Sequence, residues 1–251
     1  MDKDDFAINI KRFFSHFTWY EIVFSLISIF TVLGLSIYAK SSALTISYSF
    51  FAVLYVLLLM KKFKISIIFG IIQSVLYIIQ SGLYNNWGEF IINIAVILPI
   101  LILTLINWEK DKNIEEITVK SRKVSLKSWI IILILSLCVG IAFFFVLRYF
   151  NTPYLILASL SGFFATFANC IMLKKSPFMF VFYSFANIIS FLIWLLPIIN
   201  GVETNFETIP MAATLCVFAL SNVFGLINWF KRDKSTDDKK EILQQNIEEK
   251  E

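Results

Sequence analysis

Lys61–Asn93, KKFKISIIFGIIQSVLYIIQSGLYNNWGEFIIN, is the stretch whose reading decides the fold. Within it, Ile65–Tyr84 is an apolar run just long enough to cross a bilayer as a helix rising about 1.5 Å per residue. Gln73, Tyr77 and Gln80 fall at i, i+4 and i+7 and so share one helical face. An amide finds no partner in lipid, so that face is expected to look into the protein. Phe178–Ile199 repeats the pattern, with Tyr183, Asn187, Ser190 and Trp194 at i, i+4, i+7 and i+11. Two polar and aromatic stripes on buried faces point to a site for a small, flat, uncharged or weakly charged molecule.

Composition supports a membrane setting for these stripes. The chain is 58% hydrophobic and 16% charged, with mean hydropathy +0.77, against about 25% charged residues in soluble proteins. No long soluble stretch remains between the apolar runs, which implies one membrane domain without a catalytic appendage. Eight spans are expected: Tyr20–Ala39, Ala43–Met60, Ile65–Tyr84, Phe90–Trp108, Trp129–Phe150, Tyr154–Leu173, Phe178–Ile199 and Ile209–Phe230. They divide the chain into an amino-terminal segment (1–18), a first membrane half (19–108), a linker (109–128), a second half (129–230) and a tail (231–251). The start, MDKDDFAINIKRFFSHF, is mixed in charge and lacks the short apolar core of a signal peptide, so none is expected. Phe13, Phe14 and Phe17, beside Lys11 and Arg12, are expected at the membrane surface.

Charge sets the orientation. With eight spans, 20 of the 22 Lys and Arg residues fall on the side that holds both termini, and only Lys40 and Arg148 fall on the other. The positive-inside rule then places both termini in the cytoplasm. The basic loop and tail are explained by this asymmetry, and no nucleic-acid partner is expected.

An internal repeat is also legible. Phe50-Phe51-Ala52, leading to LLLMKK, returns 113 positions later as Phe163-Phe164-Ala165, leading to IMLKK. Leu105-Ile106-Asn107-Trp108 returns 121 positions later as Leu226-Ile227-Asn228-Trp229, with the difference taken up in the loop before the last span. Four spans separate equivalent elements, so the copies run the same way through the membrane. Parallel repeats of this kind place substrate near their interface.

The chemistry within the spans is neutral. Glu21 and Arg148 lie near span ends, and Glu89 is read as just preceding the fourth span. Without buried acids or an arginine ladder, ion-coupled pumping is disfavoured, and the absence of GxxxxGK[ST], HExxH and GxSxG motifs weakens the enzyme readings. No catalytic residue, metal site or cofactor is expected. The three cysteines, Cys138, Cys170 and Cys216, are read as small core residues, and His16 is the only histidine. Candidate ligand groups are Gln73, Gln80, Asn93, Asn169, Asn187 and Asn222, with rings from Tyr77, Phe180, Tyr183 and Trp194. Amides pair with ribose or base edges, and rings stack on a heterocycle or hold a cationic one. A structural helix–helix hydrogen bond is the competing role, favoured for Asn169 and Asn222. Trp108, Trp129 and Trp229 are read as interface anchors, and Pro99 and Pro197 as helix kinks.

These residues together resemble the PnuC-type vitamin transporters. The resemblance rests on Gly70-Ile71-Ile72-Gln73, Tyr77, Leu83-Tyr84, Gly88-Glu89 with Asn93, and Asn222-Val223-Phe224-Gly225 leading to Trp229, and the amino-terminal SHFTWYEIVF is similar to the Gram-positive branch. It implies a SWEET-like, all-α fold of three spans, a linking span and three more, here with an extra first helix. It further implies facilitated diffusion of nicotinamide riboside across a bacterial inner (plasma) membrane, with trapping by a cytoplasmic kinase, and assembly as a homotrimer. The stripes and these motifs together give an expected substrate-binding set of Gln73, Tyr77, Gln80, Glu89, Asn93, Phe180, Tyr183, Asn187, Trp194 and Asn222. Where nicotinamide riboside members resemble one another in WxxWxxxN, this chain has Phe180, Tyr183 and Asn187. Thiamine, riboflavin or deoxynucleosides are the alternative cargoes, and a non-transport membrane scaffold or receptor is the alternative function. The expected binding site lies between the third, fourth, seventh and eighth spans, with no full charge beside it.

Overall fold

The computed structural model describes residues 16–83, 87–110, 118–152, 154–200 and 208–248. Phe13 and Phe14 lie outside them. Among the described residues eight helices follow in order: α1 Trp19–Tyr38, α2 Ala43–Leu59, α3 Ser66–Leu83, α4 Trp87–Glu109, α5 Leu126–Tyr149, α6 Leu155–Leu173, α7 Met179–Ile199 and α8 Thr208–Glu248. Six of them contain a stretch long and apolar enough to cross a membrane, and α2 and the described part of α7 are shorter apolar helices. Each helix falls within a few residues of an expected span, except that α8 runs on to Glu248.

Local sequence sets the starts. Ser42 accepts the backbone N–H of Thr45 at 3.2 Å, and Ser125 that of Ser128 at 3.3 Å, each satisfying a donor that a first turn leaves orphaned. In α1, the Glu21 carboxylate accepts both the N–H (2.7 Å) and the hydroxyl (2.6 Å) of Thr18. Glu21 also pairs with Lys61 and accepts from Asn228 Nδ2 at 2.8 Å. The carboxylate is fully satisfied, which a charge this deeply buried requires.

α4 is regular except at Asn93–Ile97, a π-helical turn in which Leu98 N–H bonds the Asn93 carbonyl five residues back. Pro99 follows at once, without an N–H and with a ring that crowds the preceding turn, which accounts for the widening. The kink expected at Pro99 is therefore a π-turn that begins at Asn93.

Packing follows a matched scheme. α1 lies against α2 and α8, while α5 lies against α6 and the first turns of α4. α4 meets α6, and α8 meets α2. The first helix, expected as an extra, thus has neighbours that correspond to those of α5. The main core cluster lies at the lysine-bearing end of the bundle and includes Leu59, Leu101, Trp108, Met172, Phe180 and Trp229.

Two sequence readings need correction. Trp108 and Trp229 are not interface anchors: both are fully buried, with ring centroids 6.3 Å apart. Trp108 Nε1 donates to the Met172 carbonyl (3.3 Å) and Trp229 Nε1 to the Leu59 carbonyl (3.0 Å), so each indole N–H finds its partner inside the protein rather than at the interface. Among the cysteines only Cys170 is a core residue; Cys138 and Cys216 are exposed, on faces where a small apolar side chain meets lipid as readily as protein.

Candidate functional site

The bundle encloses a cavity of about 210 Å³ lined by α2, α3, α4, α6, α7 and α8, with Phe143 from α5. A buried water needs only about 10–15 Å³ on this measure, so the space suits a small molecule rather than a few waters. At the lysine-bearing end it stops at Leu59 and Leu101, which belong to the main core cluster. At the other end it reaches Glu89 in the first turn of α4 and Met211 in the first turn of α8.

Of the ten site residues expected from the sequence, Gln73, Tyr77, Glu89, Asn93, Tyr183, Asn187 and Asn222 all line this cavity. On α3, Gln73 and Tyr77 face inward as their spacing requires. Tyr77 stacks on Tyr48 of α2, with ring centroids 5.0 Å apart and planes at 26°. Gln73 is within hydrogen-bonding reach of Tyr48, and the Tyr77 hydroxyl within reach of the Glu89 carboxyl group.

Glu89 is the principal correction. Helix α4 starts at Trp87, earlier than hydropathy suggests, so Glu89 sits inside the span and lines the cavity. A carboxylate in a first helical turn is also favoured by the positive end of the helix dipole. The cavity is therefore lined by one acidic side chain, and no Lys or Arg is among its described lining residues.

Hydrogen-bond direction fixes what the amides offer. Asn93 Nδ2 donates to the Glu89 carbonyl (2.9 Å) and Asn169 Nδ2 to the Ala165 carbonyl (2.8 Å), so their side-chain oxygens are left for a ligand. The Thr214 hydroxyl likewise donates to Pro210 O at 2.8 Å. The lining is thus rich in acceptors. The buried Asn222 Nδ2 has no partner among the described residues.

Two expected residues are turned away. Phe180 is fully buried, seated on Gly225 and edge-on to Trp229 at 5.7 Å. A Cβ at Gly225 would lie 2.5 Å from the Phe180 ring, so glycine is what lets this ring leave the cavity. Gln80 lies one turn beyond the cavity and donates from Nε2 to Thr45 Oγ1 at 3.0 Å. The side chain of Trp194 is outside the described residues.

Sequence reasoning missed Tyr48 and Tyr55, which line the cavity from α2, and Ser161 of α6, whose hydroxyl is 2.7 Å from that of Ser190. The spacing of Tyr48 and Tyr55, seven residues apart in one helix, is a signal that could have found them. Tyr55 and Tyr183 both direct their hydroxyls at Met172 Sδ, at 3.4 and 3.7 Å. Tyr55 lies over Gly70, where a Cβ would come within 2.9 Å of the ring. Asn169, given a structural role from sequence, lines the cavity while also bonding its own helix. α2 and α6 thus join the four helices expected to frame the site.

Comparisons with known proteins agree with this architecture. Residues 42–231 match the family described as nicotinamide mononucleotide transporter. The nicotinamide riboside transporter PnuC of Neisseria mucosa is 22% identical over 175 residues, covering 68% of this chain. The chain spans 65% of the length of that relative. A crystal structure described as the vitamin B3 transporter PnuC superposes with a TM-score of 0.73 at 20% identity, covering 87% of this chain and 94% of the other.

Proposed function

The chain belongs to the nicotinamide mononucleotide transporter family, and from that premise we propose that it carries a small cationic heterocycle, nicotinamide riboside first, across a bacterial plasma membrane by uniport. One observation carries the choice of cargo: a cavity at membrane depth with aromatic rings, amide oxygens and the Glu89 carboxylate, and no cationic side chain in its described lining. A pyridinium riboside has a fixed positive charge for Glu89 and the faces of Tyr48 and Tyr77, and hydroxyls for the acceptors. A phosphorylated nucleotide would set its own negative charge beside Glu89 with no Arg or Lys to receive it. The same chemistry ranks thiamine, also a cation, above riboflavin and the deoxynucleosides as the second reading.

In this proposal the eight helices span the membrane with both termini cytoplasmic, and residues 19–108 and 129–230 are parallel halves that rock about the cavity. The matched neighbours of α1 and α5 support the two halves. Substrate contacts fall to Gln73, Tyr77, Glu89, Asn93, Tyr183, Asn187 and Asn222, and a cytoplasmic kinase would trap the cargo. A homotrimeric assembly belongs to the same proposal.

Uptake of labelled nicotinamide riboside into proteoliposomes without any ion gradient tests the reading. Uptake is expected, with competition by excess unlabelled riboside and by thiamine but not by the mononucleotide. Strict dependence on a proton or sodium gradient would defeat uniport, and competition by the mononucleotide would defeat the cargo assignment. Removing residues 234–251 should preserve most uptake, whereas a scaffold docking through its tail would lose its function.

A further inference from the structure

We propose that the lysine-bearing end of the bundle is closed by a gate made of two exchanged indole bonds, Trp108 to Met172 and Trp229 to Leu59, latched by the strap at residues 118–125. The inference rests on the transport reading above, with this end facing the cytoplasm. It adds the residues that must move for cargo to leave.

α2 and α6 end in the same way. Lys62 and Lys175 adopt the left-handed conformation, at φ 65° and 61°. Their N–H groups bond the Leu59 carbonyl (3.0 Å) and the Met172 carbonyl (2.8 Å). A carbonyl accepts two hydrogen bonds, and the second on each comes from a tryptophan of the opposite half. Trp229 on α8 reaches the end of α2, and Trp108 on α4 reaches the end of α6. Asn107 adds to the α4 side, donating to Leu173 O at 2.7 Å and accepting from Lys175 Nζ at 2.9 Å. Any separation of the halves at this end breaks both indole bonds together. Such bonds are directional and fail steeply with misalignment, which favours a closed and an open state over a graded loosening.

The strap fastens the same two points from outside. Val119 N–H bonds the Lys62 carbonyl at 2.8 Å, and Arg122 N–H bonds the Lys175 carbonyl at 3.0 Å. Thr118 forms an antiparallel bridge with Phe63, and Lys62 Nζ donates to Ser121 Oγ at 2.8 Å. The Val119 side chain is buried in the cluster that holds both tryptophans. Residues three apart in the strap therefore tie the end of α2 to the end of α6, directly below the floor of the cavity. The halves cannot part here unless one of these ties releases.

Accessibility of the cavity from this side tests the gate without reference to any cargo. Ala165, which lines the cavity, becomes the reporter as Ala165→Cys in full-length protein with Cys138→Ser, Cys170→Ala and Cys216→Ser. Inside-out vesicles are treated with an impermeant maleimide, and labelling of that site is followed by peptide mass spectrometry. Trp108→Phe with Trp229→Phe keeps the rings and removes both N–H donors; labelling is expected to speed up by about tenfold. In a separate variant, Phe63→Cys with Thr118→Cys places a disulfide across the bridge, where paired residues lie within disulfide reach. Oxidation leaves only the Arg122–Lys175 tie able to open, so it should slow labelling of the reporter relative to the same protein reduced. Unchanged labelling in the double indole variant overturns the proposal; if that variant does not fold, Trp108→Phe and Trp229→Phe decide singly, each expected to speed labelling by about threefold. Because labelling requires no cargo, a protein that gates in this way but takes up no riboside would count against the transport reading and not against the gate.

Discussion

Glu89→Gln is the perturbation that bears most directly on the cavity. The substitution keeps shape and hydrogen-bonding capacity while removing the one acidic group among the described lining residues. A bound cation about 5 Å from the carboxylate would gain about 3 kcal/mol at an effective dielectric of about 20. The tyrosine faces remain and hold a cation for about 0.5–2 kcal/mol, so part of the attraction survives. Affinity for a cationic riboside is therefore expected to fall by about 10- to 100-fold, at about 1.4 kcal/mol per decade. Isothermal titration calorimetry on purified protein measures this. The control is the reduced dihydropyridine form of the same riboside, which has nearly the same outline and no charge. Its affinity should change little. If both forms weaken equally, or neither does, Glu89 acts through structure or not at all, and the charge-based choice of cargo is wrong.

Other expectations are briefer. Asn187→Leu should abolish uptake while the protein purifies and melts as before, because the residue lines the cavity; retained uptake would remove it from the proposed binding set. Phe180→Trp should not improve riboside affinity, although it restores a family tryptophan. The larger ring overpacks against Gly225 and Trp229 at about 1–3 kcal/mol, visible as a lower melting temperature. Gln80→Leu should leave uptake within about twofold of wild type, since its amide faces Thr45 and a single membrane hydrogen bond is worth about 0.6 kcal/mol. Glu21→Leu removes the carboxylate paired with the buried Lys61 ammonium, at a cost of about 3–5 kcal/mol, and Lys61→Met in the same chain should recover much of the loss in a thermal melt. A double variant no more stable than the single would show that the pair is not the source of the cost.

Much of the cavity can be read from helical spacing. Gln73 and Tyr77 on α3, and Tyr183 and Asn187 on α7, face inward because a polar residue in hydrocarbon has nowhere else to go. Spacing alone does not say where along a helix the cavity ends. Gln80 shares its face with Gln73 and still meets Thr45 one turn beyond the ligand space. Nor does it show that Gly225 leaves room for Phe180 to turn aside, a fact that depends on two helices far apart in sequence. Hydropathy misplaces Glu89 because it marks where hydrocarbon begins, whereas the helix begins where backbone hydrogen bonds do, at Trp87.

By itself the sequence determined, among the described residues and to within a few positions, where the eight helices fall apart from the extension of α8, since transfer into a bilayer is summed locally, residue by residue. Only the tertiary structure decided which polar groups converge, which lysines are buried and which tryptophans bridge the halves. Those outcomes depend on pairs such as Trp229 with Leu59, 170 residues apart. Helix rotation and neighbour choice select among such pairs, and no local pattern records that choice.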